Sequence, residues 1–154
     1  MEVRRLVVGL GHPDRGDDAV GALVADEVAG RRSDLLVRHL LDPLALLDVL
    51  PDADALVVID AALSTTPLGT VEVFEVAGHS LPALAGSPRS THGVSLTTVL
   101  DLARTTATLP PSAWVVTVAA HGFDVGSPPH PAARAAVAEA ATRVVDLLSQ
   151  AGSG

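Results

Sequence analysis

The stretch Ala55-Leu56-Val57-Val58-Ile59-Asp60 decides the fold. Five apolar residues, three of them β-branched, run without a polar interruption and end at a carboxylate. A strand apolar on both faces must be covered on both faces, which is the condition of a strand inside a parallel sheet flanked by helices. Leu6-Val7-Val8, closed by Gly9, is a second run of this kind, and residues 114–119 form another. Residues 35–41 read as a further strand, and residues 71–76 (VEVFEV) alternate with period two, as a strand with one wetter face does. Helical spacing fills the intervals. Val20, Leu23, Val24 and Val28 recur on one face and end near Gly30, and Leu96, Val99, Leu100 and Ala103 mark another helix. Val137, Ala140, Ala141, Val144, Val145 and Leu148 mark the last. Leu44 to Leu50 reads as a short helix stopped by Pro51, and residues 78–91 read as loop. The alternation predicts one α/β domain over residues 1–148, followed by a flexible tail at 149–154. Its architecture is a three-layer α/β/α sandwich, phosphorylase/hydrolase-like, around a mixed, mainly parallel sheet of about five strands.

Composition narrows the function. A chain of 154 residues with 48% hydrophobic residues suits a single well-buried domain. Phe74, Trp114 and Phe123 are its only aromatics, so the core is aliphatic and no base-stacking platform exists. The formal net charge is −8 and there is no lysine. Such a chain repels phosphate backbones and anionic lipid, so neither nucleic acid nor membrane is an expected partner. The absence of cysteine excludes disulfides, thiolate nucleophiles and Cys-ligated zinc. The N-terminal apolar run is broken by Gly9, Gly11 and Pro13, which makes it a first strand and not a signal peptide. No run is long enough to cross a bilayer, and the expectation is a soluble, cytoplasmic monomer.

In open α/β sheets, sites form beyond the carboxyl ends of the strands. Here those ends carry Gly9-Leu10-Gly11-His12, Asp42, Asp60 and His121. The loop GLGHPDRGDDAVG (9–21) is glycine-rich but is no dinucleotide turn. It lacks the third glycine, and Asp14, Asp17 and Asp18 occupy the place of a pyrophosphate. One of Asp17 and Asp18 is expected to cap the following helix, worth about 0.5–2 kcal/mol. The other is then left to face the sheet edge. Asp60, at the end of a buried strand, needs a partner, a metal or water. His92, in Ser90-Thr91-His92-Gly93, directly precedes a helix. Two carboxylates and an imidazole make a divalent-metal set suited to nickel or zinc, although no local metal motif such as HExxH links them. His39 reads as packed or solvent-facing, His79 and His130 as exposed, and His121 as a candidate to line the cleft. The serines lack a Gly-x-Ser-x-Gly elbow, so a serine triad is not expected.

GLGHPDRGDDAVG (9–21), VVIDAA (57–62) and STHGVSLTTVLDLA (90–103), in this order, resemble the hydrogenase maturation proteases. These nickel-dependent endopeptidases trim the C-terminal extension of [NiFe] hydrogenase large subunits. The resemblance covers nearly the whole chain. It implies that Asp18, Asp60 and His92 are the metal ligands and the catalytic set. It also implies that the nickel they engage is already carried by the large-subunit precursor, with other divalent ions as substitutes. Three positions depart from the family pattern: His12 stands for Asn, Ala19 for Gly, and Pro43-Leu44-Ala45 for a glycine-rich turn after Asp42. Two rival readings accompany this one. The Gly-Leu-Gly-His-Pro start also resembles peptidyl-tRNA hydrolases, whose basic tRNA groove an acidic, lysine-free chain does not supply. A non-catalytic binding or scaffold domain of the same fold is the other.

Overall fold

The structure is a computed structural model that describes residues 3–14, 16–63, 66–76, 95–120, 126 and 128–151. Five strands form one sheet: β1 (Arg5–Leu10), β2 (Leu36–Leu40), β3 (Ala55–Leu63), β4 (Val71–Glu75) and β5 (Ser112–Ala120). Their order is β2-β1-β3-β5-β4, with the first four parallel and β4 antiparallel along the edge of β5. The mixed, mainly parallel sheet expected from the sequence is therefore present. β3 and β5, both apolar runs, take the interior positions, and the alternating VEVFE segment takes an edge.

Strand alternation sends side chains to two separate cores. Val7, Val57, Ile59, Val116 and Val118 pack under α1 (Val20–Arg31) and under the C-terminal helices, the short α4 (Pro131–Ala135) and α5 (Val137–Ala151). Leu6, Val8, Leu56, Val58 and Val115 face the other way. They meet α3 (Leu96–Thr105) and the short helical stretch at 43–52, of which Leu46–Val49 is α2. Three layers result. Val7, Val8, Val57 and Val58 have no exposed surface, which is why the decisive segment reads as unbroken apolar sequence. Among the described residues no helix is long and apolar enough to cross a membrane.

Element ends differ from the sequence expectation in three places. Asp60 does not end its strand: β3 continues to Leu63 because β5 runs beside it to Ala120, and the ladder Asp60↔Thr117 to Leu63↔Ala120 holds the extension. Pro51 does not stop the helical stretch after β2. It lies in the first turn of a 3-10 segment, Leu50–Asp52, where its missing N–H costs nothing. α5 extends to Ala151, over the first residues assigned to the tail, with the Ser149 hydroxyl donating to the Val145 carbonyl. α1 ends at Arg31, next to Gly30 as expected, and the Arg31 guanidinium bonds Glu27 and the α5 residues Ala138 and Thr142.

Candidate active site

The pairing of β1 with β3 stops at Gly9↔Ile59, whereas β3 and β5 continue. At Asp60 the side of β3 once occupied by β1 is thus vacated, and a 3-10 turn, Gly16–Ala19, packs there. The close approach needs glycine. A Cβ on Gly21 would collide with the Leu10 carbonyl oxygen and lie 3.0 Å from that of Ile59. α1 can therefore begin directly against the ends of β1 and β3, carrying the acidic pair Asp17-Asp18 to the carboxyl edge of the sheet.

The two aspartates divide their work, though not as capping predicts. α1 is entered through Ala19 with no side-chain cap, so neither aspartate caps it. Asp17 is 4% exposed, and its Oδ1 accepts the backbone N–H of His130 at 2.6 Å. It ties the first loop to the start of the C-terminal helices. His130, expected only to be exposed, is exposed and also caps α4. Its Nδ1 accepts from the Ala132 N–H at 3.1 Å, and Pro131 follows at the first helical position. His-Pro before an Ala-rich helical run was the available signal.

Asp18 faces the sheet edge. Its Oδ2 accepts the His12 backbone N–H at 2.7 Å, and its Oδ1 lies where a Cβ on Gly11 would come within 2.7 Å. Gly11 has φ +127°, a conformation open to glycine, and its own N–H donates to the Leu40 carbonyl. Asp60 is 4% exposed. Its burial, and next the charge of Asp18, push the Asp60 carboxyl well above the usual range, against a smaller opposing effect of a hydrogen bond from the Ala61 backbone. Desolvation and a like-charge neighbour both disfavour the carboxylate.

Two of the three expected site residues, Asp18 and Asp60, are thus close enough to repel. The third, His92, lies outside the described residues, as do His79 and His121. Among the described residues no group of three or more acidic or imidazole side chains is arranged to hold a metal ion. His39 is solvent-facing and pairs with Asp26 through Nε2 at 3.0 Å. A surface groove of about 340 Å³ lined by Leu23, Asp26, Glu27, Arg134 and Val137 touches neither Asp18 nor Asp60.

The three departures from the family pattern are accommodated. His12 serves Asp18 through its main-chain N–H, which any non-proline residue supplies. Ala19 has φ −70°, so no glycine is required. Pro43 opens a 3-10 turn that Asp42 caps through the Leu44 N–H at 2.9 Å.

No curated protein matches the sequence. Solved structures do. The hydrogenase maturating endopeptidase HybD from E. coli superposes with a TM-score of 0.81 at 22% identity, covering 97% of this chain and 94% of that one. The [NiFe] hydrogenase maturation protease HycI from Thermococcus kodakarensis KOD1 gives 0.71 at 19%, covering 96% and 93%. HybD from Thermococcus kodakarensis gives 0.71 at 21%, covering 94% and 99%. At these identities the likeness establishes the fold alone. The hydrogenase maturation protease family model matches residues 41–150, a span that contains Asp60 and His92 but not Asp18. With more than half of its length matched by that model, the chain belongs to the hydrogenase maturation protease family.

Proposed function

We propose that this protein is an endopeptidase that removes the C-terminal extension of a nickel-loaded [NiFe] hydrogenase large-subunit precursor, with Asp18, Asp60 and His92 engaging the nickel. The observation that carries this reading is the placement of a buried carboxylate, Asp60, beside a second one, Asp18, at the carboxyl edge of the sheet. Two like charges held together at a desolvated position are matched by a divalent cation. Carboxylate and imidazole donors suit nickel, and a nickel ion carried by the precursor is part of the substrate.

A nickel ion engaged by these side chains would polarise the scissile carbonyl or lower the pKa of a water, which is the chemistry it would bring to the site. The chain's own contribution is position. The His12 N–H orients the Asp18 carboxylate, and the β3–β5 ladder fixes Asp60. His92 supplies the neutral donor by its place in the family pattern. The esterase alternative gains no support from a lysine-free chain of net charge −8.

The test is incubation with nickel-loaded and nickel-free precursor, read by intact mass. Loss of a C-terminal peptide from the loaded form alone is the expected result. Cleavage of both forms alike overturns the role of the metal, and cleavage of neither overturns the activity.

A further inference from the structure

β2 stands at one edge of the sheet, and among the described residues no strand pairs with its outer side. The Leu40 carbonyl accepts the Gly11 N–H, on the β1 side. Backbone groups of successive residues in a strand point to opposite sides. Leu36, Arg38 and Leu40 therefore serve the ladder with β1, while Val37 and His39 present their N–H and C=O groups outward. None of the five residues is buried. Exposed leucines flank the strand, Leu36 at its start, 39% exposed, and Leu41 just past its end, 56% exposed. The Arg38 guanidinium lies along this edge and donates to the Val37 carbonyl at 3.0 Å. A charged edge resists pairing with its own kind. In a twofold antiparallel pair of β2 strands that joins Val37 to His39, Arg38 would oppose Arg38, and each copy carries a net charge of −8. A strand of different sequence meets no such repulsion between arginines.

We propose that the outer edge of β2 receives the C-terminal extension of the large-subunit precursor as an added strand, held by the backbone of Val37 and His39. On the endopeptidase reading above, on which this rests, the edge is the peptide-binding part of the site. A C-terminal extension is a chain end that can lie extended, and main-chain pairing with an edge strand is a recurrent way to hold such a segment. Position favours this edge. β2 ends against Gly11, in the loop that holds Asp18, so an added strand leads to the candidate site. On the opposite side β5 runs on past Asp60 to Ala120 and stands between the site and the β4 edge. On this side β1 has already ended, at Leu10. With strands about 4.8 Å apart, Asp60 stands about 14 Å from an added strand, a gap that roughly four extended residues cross. Arg38, exposed at the surface, yields the Val37 carbonyl to the incoming N–H.

The experiment compares wild type, His39→Pro and His39→Ala on nickel-loaded precursor, with kcat and KM measured separately. Proline removes an outward N–H that the β1 ladder does not use, and it is tolerated on an edge strand. Alanine keeps the N–H and removes only the imidazole and its exposed pairing with Asp26. His39→Pro should raise KM about tenfold, as loss of one main-chain hydrogen bond does, with kcat little changed. His39→Ala should match wild type in both. Hydrogen exchange on wild type keeps the test open should the proline variant not fold. A synthetic peptide of the C-terminal extension should slow exchange of the His39 amide and leave that of Arg38, which faces β1, unchanged. Equal KM for the Pro and Ala variants overturns the proposal, as does an unchanged His39 amide. A wild-type dimer that His39→Pro dissociates overturns it too, by giving the edge to a second copy. Failure of wild type to process the precursor is a different result, and strikes the endopeptidase reading itself.

Discussion

The Asp17 carboxylate accepts the backbone N–H of His130 at 2.6 Å, across 113 residues of chain. Its neighbour Asp18 turns instead to His12 and the sheet edge. One acidic dipeptide thus holds the C-terminal helices to the first loop with one residue and furnishes the site with the next.

This division predicts opposite phenotypes. Asp17→Ala leaves the partly buried His130 N–H, at the head of the C-terminal helices, without its charged acceptor, at a cost of about 1.5–3 kcal/mol. In a domain of this size that lowers the melting temperature by roughly 4–10 °C. Asp18→Asn keeps an oxygen for the His12 N–H and removes only the charge. It should melt near wild type and fail to process the precursor. Thermal denaturation of both variants beside a cleavage assay checks the pair, and a destabilised Asp18→Asn with a wild-type-like Asp17→Ala would reverse the assignment.

Asp60 makes stability depend on pH in an uncommon direction. Burial, then Asp18, raise its carboxyl well above the ordinary 3.8, so the folded state favours the protonated form. The stability this contributes is complete below about pH 4 and is lost as pH rises through the folded-state value. Asp60→Asn has no such titration. In the absence of metal it should melt above wild type at pH 7, with the gap closing toward pH 4, while processing is lost. Melting curves of the two proteins over that range decide the matter, and parallel pH profiles would show that Asp60 is not desolvated in the folded protein.

Much of this was legible in the sequence, for physical reasons. Strands buried on both faces leave an unbroken apolar record, so residues 55–60 and 6–8 disclosed the parallel sheet. Asp60 looked like a terminator because local sequence does not show that β5 runs on beside it to Ala120. The roles of Asp17 and Asp18 could not be told apart locally, since the partner that distinguishes them is His130. Neither capped α1, because the 3-10 turn before it directs both side chains elsewhere. His92 stands on the family pattern, outside the described residues.

The fold makes a blunt prediction at Val58, which has no exposed surface and lies between β1 and β5 in the middle of β3. Val58→Asp places an unpaired carboxylate in the aliphatic core on the α3 side, at a cost of several kcal/mol. Against a total stability of about 5–15 kcal/mol for a typical domain, the variant should not fold. Far-UV circular dichroism and recovery in the soluble fraction measure this. A soluble variant with a native melting transition would mean that β3 is misplaced.

Gly11→Ala tests whether the first loop holds Asp18 in place. At φ +127° an alanine is strained, at about 1–3 kcal/mol. Its Cβ would also meet the Asp18 carbonyl oxygen and come within 2.7 Å of Asp18 Oδ1. Backbone cannot yield cheaply there, because the Gly11 N–H is bonded to Leu40 and the His12 N–H to Asp18 itself. The carboxylate must therefore shift away from the sheet edge. The expected outcome is a melting temperature lower by a few degrees together with a loss of processing far larger than that destabilisation explains at an assay temperature where the variant remains folded. An active Gly11→Ala with only the thermal penalty would show that the position of Asp18 is not set by this loop.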